Sequence, residues 1–314
     1  MRILVLGAGG TGGYFGGRMA QAGLDVTFLV RPKRAKVLDD KGLVILSPFG
    51  DATVQIKHVT ADTVSEAGAF DLVLLSCKAY DLHAAMEAID PAVGDATVIL
   101  PILNGLAHYP MLDKRFGPDR VLGGLCVISA AKGPHGEIVH FGNGASVTFG
   151  ERDGQLHDNR CAAIADVFAA AKLDHTHSSD IQRDLWAKFS FLATLAATTC
   201  LFRASVGDIV ATDDGRVLVE RTYEECLAVA RASGHPVPDN ARAFAWKTLT
   251  QQDSPLTASM LRDLESGQRI ESDHIIGDML RRARDAGIAA PLLEVAFAHL
   301  QAFDVRRARE SRAP

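Results

Sequence analysis

The hexapeptide Gly7-Ala8-Gly9-Gly10-Thr11-Gly12 constrains this chain more than any other stretch. It follows a short apolar run, Arg2 to Leu6, that suits a buried parallel strand, and it opens Thr11 to Ala22, whose apolar residues have helical spacing. A G-x-G-x-x-G between strand and helix gives each glycine a task. Gly7 permits a tight turn, Gly9 lets a pyrophosphate approach the backbone, and Gly12 lets the helix pack closely on the strand. The helix N-terminus then offers N–H groups and partial positive charge to phosphates. A second strand, Asp25 to Val30, follows at the expected distance, and that context favours a dinucleotide site over a glycine-rich structural turn.

The end of the second strand bears on which nucleotide. An NAD site places a carboxylate there for the ribose 2′-hydroxyl, whereas Val30 is followed by Arg31, Lys33 and Arg34. Cations suit a 2′-phosphate, so the pattern predicts NADP(H), with Arg31 best placed to pair with it. The alternative is a solvated basic loop. Two more strands, Phe70 to Cys77 and Ala96 to Leu103, end at Lys78 and at Asn104-Gly105. Ligands of open α/β sheets lie beyond the carboxyl ends of the strands. Lys78 is therefore expected beside the cofactor, and Asn104 near cofactor and substrate.

From Val121 to Gly150 the chain is β-rich and broken by Gly-Pro and Gly-Asn-Gly, which predicts two or three antiparallel strands completing the sheet. His135 and His140 fall among these turns as structural residues. An alanine-rich helix is expected over Asn159 to Lys172. His175 and His177 lie in the following strand, with no carboxylate or cysteine in a spacing that suggests a metal. Residues 1–175 thus read as a Rossmann-type α/β dinucleotide-binding domain.

Residues 180–310 read as an all-helical domain, with helices over Ile181 to about Thr199, Arg216 to Ser233, Asp239 to about Gln252, Ala258 to Glu265, Ile270 to Ala286 and Leu292 to Arg307. Lys188 stands inside the apolar run of the first. It either pairs with Asp184, four residues back, and snorkels to water, or carries chemistry. Glu271 shares an inward stripe with Ile275 and Met279, where an acid wants a partner or a ligand.

Composition narrows the partners. The formal net charge of -5 supplies neither a basic field for nucleic acid nor a polybasic membrane anchor, so a small molecule is the expected partner. Five scattered cysteines without a C-x-x-C pair suit a reducing cytoplasm. The uncharged stretch Phe189 to Phe202 is too short for a bilayer span, and no targeting signal is evident. The helical second domain offers apolar surface for a homodimer.

Taken together, these residues resemble the ketopantoate reductase (2-dehydropantoate 2-reductase) family over nearly the whole chain. The matching features are the N-terminal glycine fingerprint with its following arginine, Lys78, Asn104-Gly105, the glycine-rich hairpins, Trp186-x-Lys188, Ser259-Met260-x-x-Asp263, Gly267-x-x-x-Glu271-x-Asp273, Gly277 and Pro291. The resemblance implies that Lys188 donates a proton to the substrate carbonyl while NADPH delivers hydride. It also implies that Glu271 fixes the lysine and the substrate hydroxyl, and that Ser259 and Asn104 contact substrate. Three asparagines usual in enzymes acting on ketopantoate are replaced here by Leu192, Ala196 and Leu256. The expected reaction is therefore reduction of ketopantoate to (R)-pantoate. The alternatives are a reductase of another 2-oxo acid or ketone, and a non-enzymatic NADP(H)-binding regulator.

Overall fold

A computed structural model describes residues 1–154 and 159–311. The chain divides into two compact units: Met1–Leu103 with His108–Ile181, and Asn104–Ala107 with the chain from Gln182 on.

In the first unit the elements run β1 (Ile3–Leu6), α1 (Gly10–Gln21), β2 (Val26–Leu29), α2 (Pro32–Lys41), β3 (Leu43–Leu46), β4 (Ala52–Val54), β5 (Lys57–Val59), β6 (Phe70–Leu75), α3 (Leu82–Ile89), β7 (Val93–Pro101), α4 (His108–Phe116), β8 (Gly123–Lys132), β9 (Ile138–Gly150), α5 (Arg160–Ala170) and β10 (Asp174–His177). Five of the strands form a parallel sheet in the order β5-β2-β1-β6-β7. All four residues of β1 are buried, as expected of a central parallel strand covered on both faces. In register, Leu6 lies opposite Leu29 and Leu75, and Leu75 opposite Pro101. The loops carrying Gly7, Arg31 and Lys78 consequently leave the sheet at one edge.

The hairpin of β8 and β9 does not complete this sheet, contrary to the pattern-based expectation. It belongs to a second sheet of order β10-β9-β3-β4, with β8 paired antiparallel to β9 and β9 parallel to both β3 and β10. The reason lies in α1. A Cβ on Gly16 would strike Phe28 and Val5 of the first sheet, whereas one on Gly13 or Gly17 would strike Ile138, Ile45 and Leu43 of the second. Paired glycines on two faces make α1 thin enough to be layered between two sheets. The shared core includes Phe15, Phe28, Ile45, Val147, Phe149 and Phe168, all buried.

His140 is structural, as expected. One ring nitrogen is 2.9 Å from Ser47 Oγ, the other 3.1 Å from the Gly144 carbonyl, and the ring lies against Tyr14 and Phe49. The rings of His175 and His177 go to different neighbours, Phe168 and Phe149.

The second unit consists of α6 (Ile181–Phe202), α7 (Val206–Val210), α8 (Gly215–Ala232), α9 (Asp239–Leu249), α10 (Ser259–Glu265), a π turn (Asp273–Gly277), α11 (Asp278–Asp285) and α12 (Pro291–Glu310). By length and composition α6 could cross a membrane, yet Leu185, Trp186, Phe189, Ala193, Ala196 and Cys200 are all buried within the protein, which marks it as a core helix. Its buried threonines return their hydroxyls to the helix backbone: Thr194 to Ser190 O, Thr198 to Thr194 O and Thr199 to Leu195 O. Glu225 of α8 caps α12 by accepting from the backbone of Leu292 and Leu293 at 3.1 and 3.0 Å.

The helix expected over Ile270 to Ala286 is not regular, because the π turn occupies its first part. A Cβ on Gly277 would lie 2.9 Å from both Asp273 Oδ1 and the Phe297 ring. The wider turn and the glycine together let the chain pass close under α12.

Candidate functional site

At the carboxyl edge of the parallel sheet, each glycine of the fingerprint has a distinct environment. Gly7 has φ +89°, a conformation that disfavours side chains, and its N–H donates to Leu29 O at 2.9 Å. Gly12 packs so closely that a Cβ would overlap Ser76 Oγ and the Gly7 carbonyl, and Ser76 Oγ itself donates to Leu6 O at 2.8 Å. Gly9 is the opposite case: a Cβ there would meet nothing within 4 Å. Gly9 caps α1 without a side-chain hydrogen bond, and no acidic residue lies in the first turn. Open backbone at Gly9, closed packing at Gly12 and a first turn without a side-chain cap fit a dinucleotide pyrophosphate.

Arg31 is the N-cap of α2, with its side chain 76% exposed and Nη2 2.9 Å from Asp81 Oδ2. Lys78 is half-buried and precedes the short 3-10 turn Ala79–Asp81, so the Arg31–Asp81 pair joins the segments after β2 and β6. Arg34 is directed elsewhere: it lies against Gly136 in the β8–β9 turn, and burial lowers its pKa while Glu137 opposes that shift. Of the three basic residues after β2, Arg31 and Lys33 are exposed and Arg34 is half-buried.

In the helical unit, the structure brings Lys188 and Asn104 together. The half-buried Lys188 ammonium donates to Asn104 Oδ1 at 3.2 Å. Asp184, the alternative partner read from spacing, has Arg183 beside it at 3.4 Å. Asn104 is followed by Gly105 at φ +80°, where a Cβ would lie 2.9 Å from the carbonyl oxygen and 3.2 Å from Cδ2 of His274. The Asn104-Gly105 turn therefore abuts the π turn.

Glu271 is 7% exposed and sits at the mouth of the π turn, its carbonyl accepting from Ile275 N at 3.1 Å. Charged neighbours are organised around it: Arg281 holds Asp273 at 2.8 Å, and Arg282 binds Asp278 at 2.9 Å while lying over the Trp186 ring. Trp186 is two residues before Lys188 and also stacks with His235. Burial lowers the pKa of His274 from its usual 6.5, with Glu271 first among the carboxylates opposing that shift. Ser259 is half-buried and opens α10, next to Ala258, whose N–H donates to Thr199 Oγ1 at 3.3 Å.

Leu192 and Ala196 follow Lys188 by one and two turns of α6, the first half-buried and the second fully buried. Leu256 is half-buried, its carbonyl accepting from Val206 N at 2.9 Å. His274, which packs against the Asn104-Gly105 turn, was not singled out by sequence reasoning. Its position three residues after Glu271, on a helical face shared with that acid, was the only available signal.

The chain matches the ketopantoate reductase PanE/ApbA family over residues 3–154 and the C-terminal domain of ketopantoate reductase PanE/ApbA over residues 180–304. It is 39% identical over 307 residues to the uncharacterized oxidoreductase YkpB of Bacillus subtilis (strain 168), covering 98% of this chain and 100% of that protein. It is 31% identical over 299 residues to a 2-dehydropantoate 2-reductase of Halobacterium salinarum (strain ATCC 700922 / JCM 11081 / NRC-1), covering 93% and 95%. Among solved structures, a PanE/ApbA family ketopantoate reductase from Ralstonia eutropha JMP134 superposes with a TM-score of 0.88 at 26% identity, covering 98% of this chain and 100% of that one. The glycine fingerprint on a parallel sheet, the helical second unit and these full-length likenesses agree, and the chain belongs to the ketopantoate reductase PanE/ApbA family of NAD(P)-dependent oxidoreductases.

Proposed function

We propose that this enzyme reduces 2-dehydropantoate (ketopantoate) to (R)-pantoate with NADPH, a step of pantothenate biosynthesis. The observation that carries the reading is the half-buried Lys188 ammonium held on Asn104 Oδ1 at 3.2 Å. Bound NADPH supplies the hydride. As the carbonyl carbon is reduced, its oxygen gains negative charge, which the Lys188 ammonium stabilises and then neutralises by proton transfer. Asn104 restrains the long lysine side chain and offers an amide to the substrate. Glu271, buried on the same unit, fixes the substrate hydroxyl and Lys188, and Ser259 adds a further substrate hydrogen bond.

On the cofactor side, the first turn of α1 takes the pyrophosphate, Lys78 lies beside the nucleotide and Arg31 takes the 2′-phosphate. An exposed pair such as Arg31–Asp81 contributes little by itself, about 0–1 kcal/mol, so the guanidinium is available to the stronger phosphate partner.

A second reading, reduction of a more apolar 2-oxo acid, is favoured by one observation. Of the half-buried residues of α6 within four positions of Lys188, Ala187, Phe191 and Leu192 are apolar and only Asp184 is charged, so the side toward Leu192 borders the lysine with apolar side chains. A substrate hydroxyl left unpaired against them would cost about 1–3 kcal/mol.

The test is steady-state NADPH oxidation with ketopantoate and with 3,3-dimethyl-2-oxobutanoate, which lacks only the hydroxyl. The first reading predicts a higher kcat/KM for ketopantoate, and the second predicts the reverse. Lys188→Ala should lower kcat by about 10²–10⁴-fold. Wild-type turnover by that variant would overturn the proton-donor role.

A further inference from the structure

Asn104 can restrain Lys188 only while the turn it heads stays in place, and Gly105 at φ +80° brings no side chain to anchor that turn. What backs it is His274. The carbonyl oxygen and Cδ2 of that residue lie 2.9 and 3.2 Å from where a Gly105 Cβ would be. His274 belongs to the π turn, three residues after the buried Glu271, and such turns concentrate at functional sites. One short path thus runs from His274 through Gly105 and Asn104 to Lys188, with Glu271 acting electrostatically on the imidazole.

We propose that His274 is a positioning residue for the reduction: its neutral ring braces the Asn104-Gly105 turn so that Asn104 Oδ1 faces Lys188, and protonation draws the ring toward Glu271 and slackens the brace. The inference rests on Lys188 being the proton donor. Four charged groups face the imidazole, namely Glu271, Asp278 and Asp273, which favour its protonation, and Arg281, which opposes it. Of the three carboxylates Glu271 acts on the ring most strongly, so it is the one toward which a cationic ring would be drawn. Burial outweighs these carboxylates and leaves the pKa below 6.5, so the ring is neutral at pH 7. The sign follows. As the pH drops from 6.5 through this lowered value, the folded state resists a proton that the unfolded chain accepts, and the brace is lost in acid.

The experiment is a pH profile of kcat and kcat/KM for wild type, His274→Gln and His274→Ala, with Lys188→Ala as reference and NADPH titration as a check on folding. Glutamine keeps similar reach but does not titrate. His274→Gln should stay within about threefold of wild type at pH 7.5, and its acid limb should move to lower pH. His274→Ala should lose about tenfold or more in kcat, since small misplacements of reacting groups can cost about 100-fold, while KM for NADPH is unchanged. Wild-type kcat in His274→Ala, or an unmoved acid limb in His274→Gln, would overturn the inference. If His274→Ala does not fold, the glutamine profile decides alone. Should Lys188→Ala retain full turnover, the proton-donor reading falls and takes this inference with it. Should Lys188→Ala be inactive while both His274 variants match wild type, only the brace is wrong.

Discussion

Arg31 is the single side chain on which the proposed NADPH preference can be tested. Its guanidinium pairs with Asp81 at 2.9 Å, and a 2′-phosphate would compete with that carboxylate. Arg31→Ala should raise KM for NADPH by about 10-fold or more, the loss of one charge-assisted contact worth about 1.5–3 kcal/mol, and leave KM for NADH nearly unchanged. Asp81→Ala removes the competitor and should tighten NADPH modestly. Equal effects of Arg31→Ala on both cofactors would defeat the assignment. Leu192 makes the matching case for substrate. Leu192→Asn, one turn from Lys188, should raise the ratio of kcat/KM for ketopantoate over 3,3-dimethyl-2-oxobutanoate, by about 5-fold or more if one hydrogen bond is gained. At this scale the sequence was informative where chemistry forces a residue type. Gly7 and Gly12 could be read directly, and the charge of Lys188 stood out in its apolar run, although its spacing did not point to Asn104 as a partner. His274 could not, because its role depends on a contact with Gly105, 169 positions away in sequence, that no local pattern encodes.

The first helix shows how an element can serve packing and binding with one residue type. Its glycines face three ways: Gly12 and Gly16 toward the parallel sheet, Gly13 and Gly17 toward the second sheet, and Gly9 toward open space. Substitution should separate these tasks. Gly12→Ala would overlap Ser76 and the Gly7 carbonyl and should destabilise the fold by about 1–3 kcal/mol, read as a lowered denaturation midpoint. Gly9→Ala meets no protein atom, so the midpoint should stay near wild type while NADPH binding weakens, because the new methyl occupies space a pyrophosphate needs. A Gly9→Ala protein with normal NADPH affinity would count against the phosphate cradle. The glycine fingerprint was legible, but the second sheet was not. Val121 to Gly150 has the composition of strands without a signal for which partner they choose, and short β3 and β4 carry too little alternation to stand out. The π turn was hidden for a related reason. Widening one turn changes backbone hydrogen bonding, not the spacing of Glu271, Ile275 and Met279 that suggested a continuous helix.

At the scale of the whole chain, the groups assigned to cofactor and to proton transfer belong to different compact units. The glycine loop, Arg31 and Lys78 lie in the first, whereas Lys188, Asn104, Ser259 and Glu271 lie in the second. This division predicts which variants uncouple binding from chemistry. A ligand that binds only the folded state stabilises it by about 2.7 kcal/mol at 100 times its Kd. Saturating NADPH should therefore raise the thermal midpoint of wild type by several degrees, and more than NADH does at equal concentration. Lys188→Ala should keep that NADPH-dependent rise in full although its turnover is lost. Arg31→Ala should lose most of the difference between NADPH and NADH while retaining turnover at high cofactor. Differential scanning calorimetry with each cofactor measures both. A Lys188→Ala protein that no longer responds to NADPH would mean that the lysine holds the nucleotide, and its ammonium would then have to be explained by cofactor binding instead of proton donation.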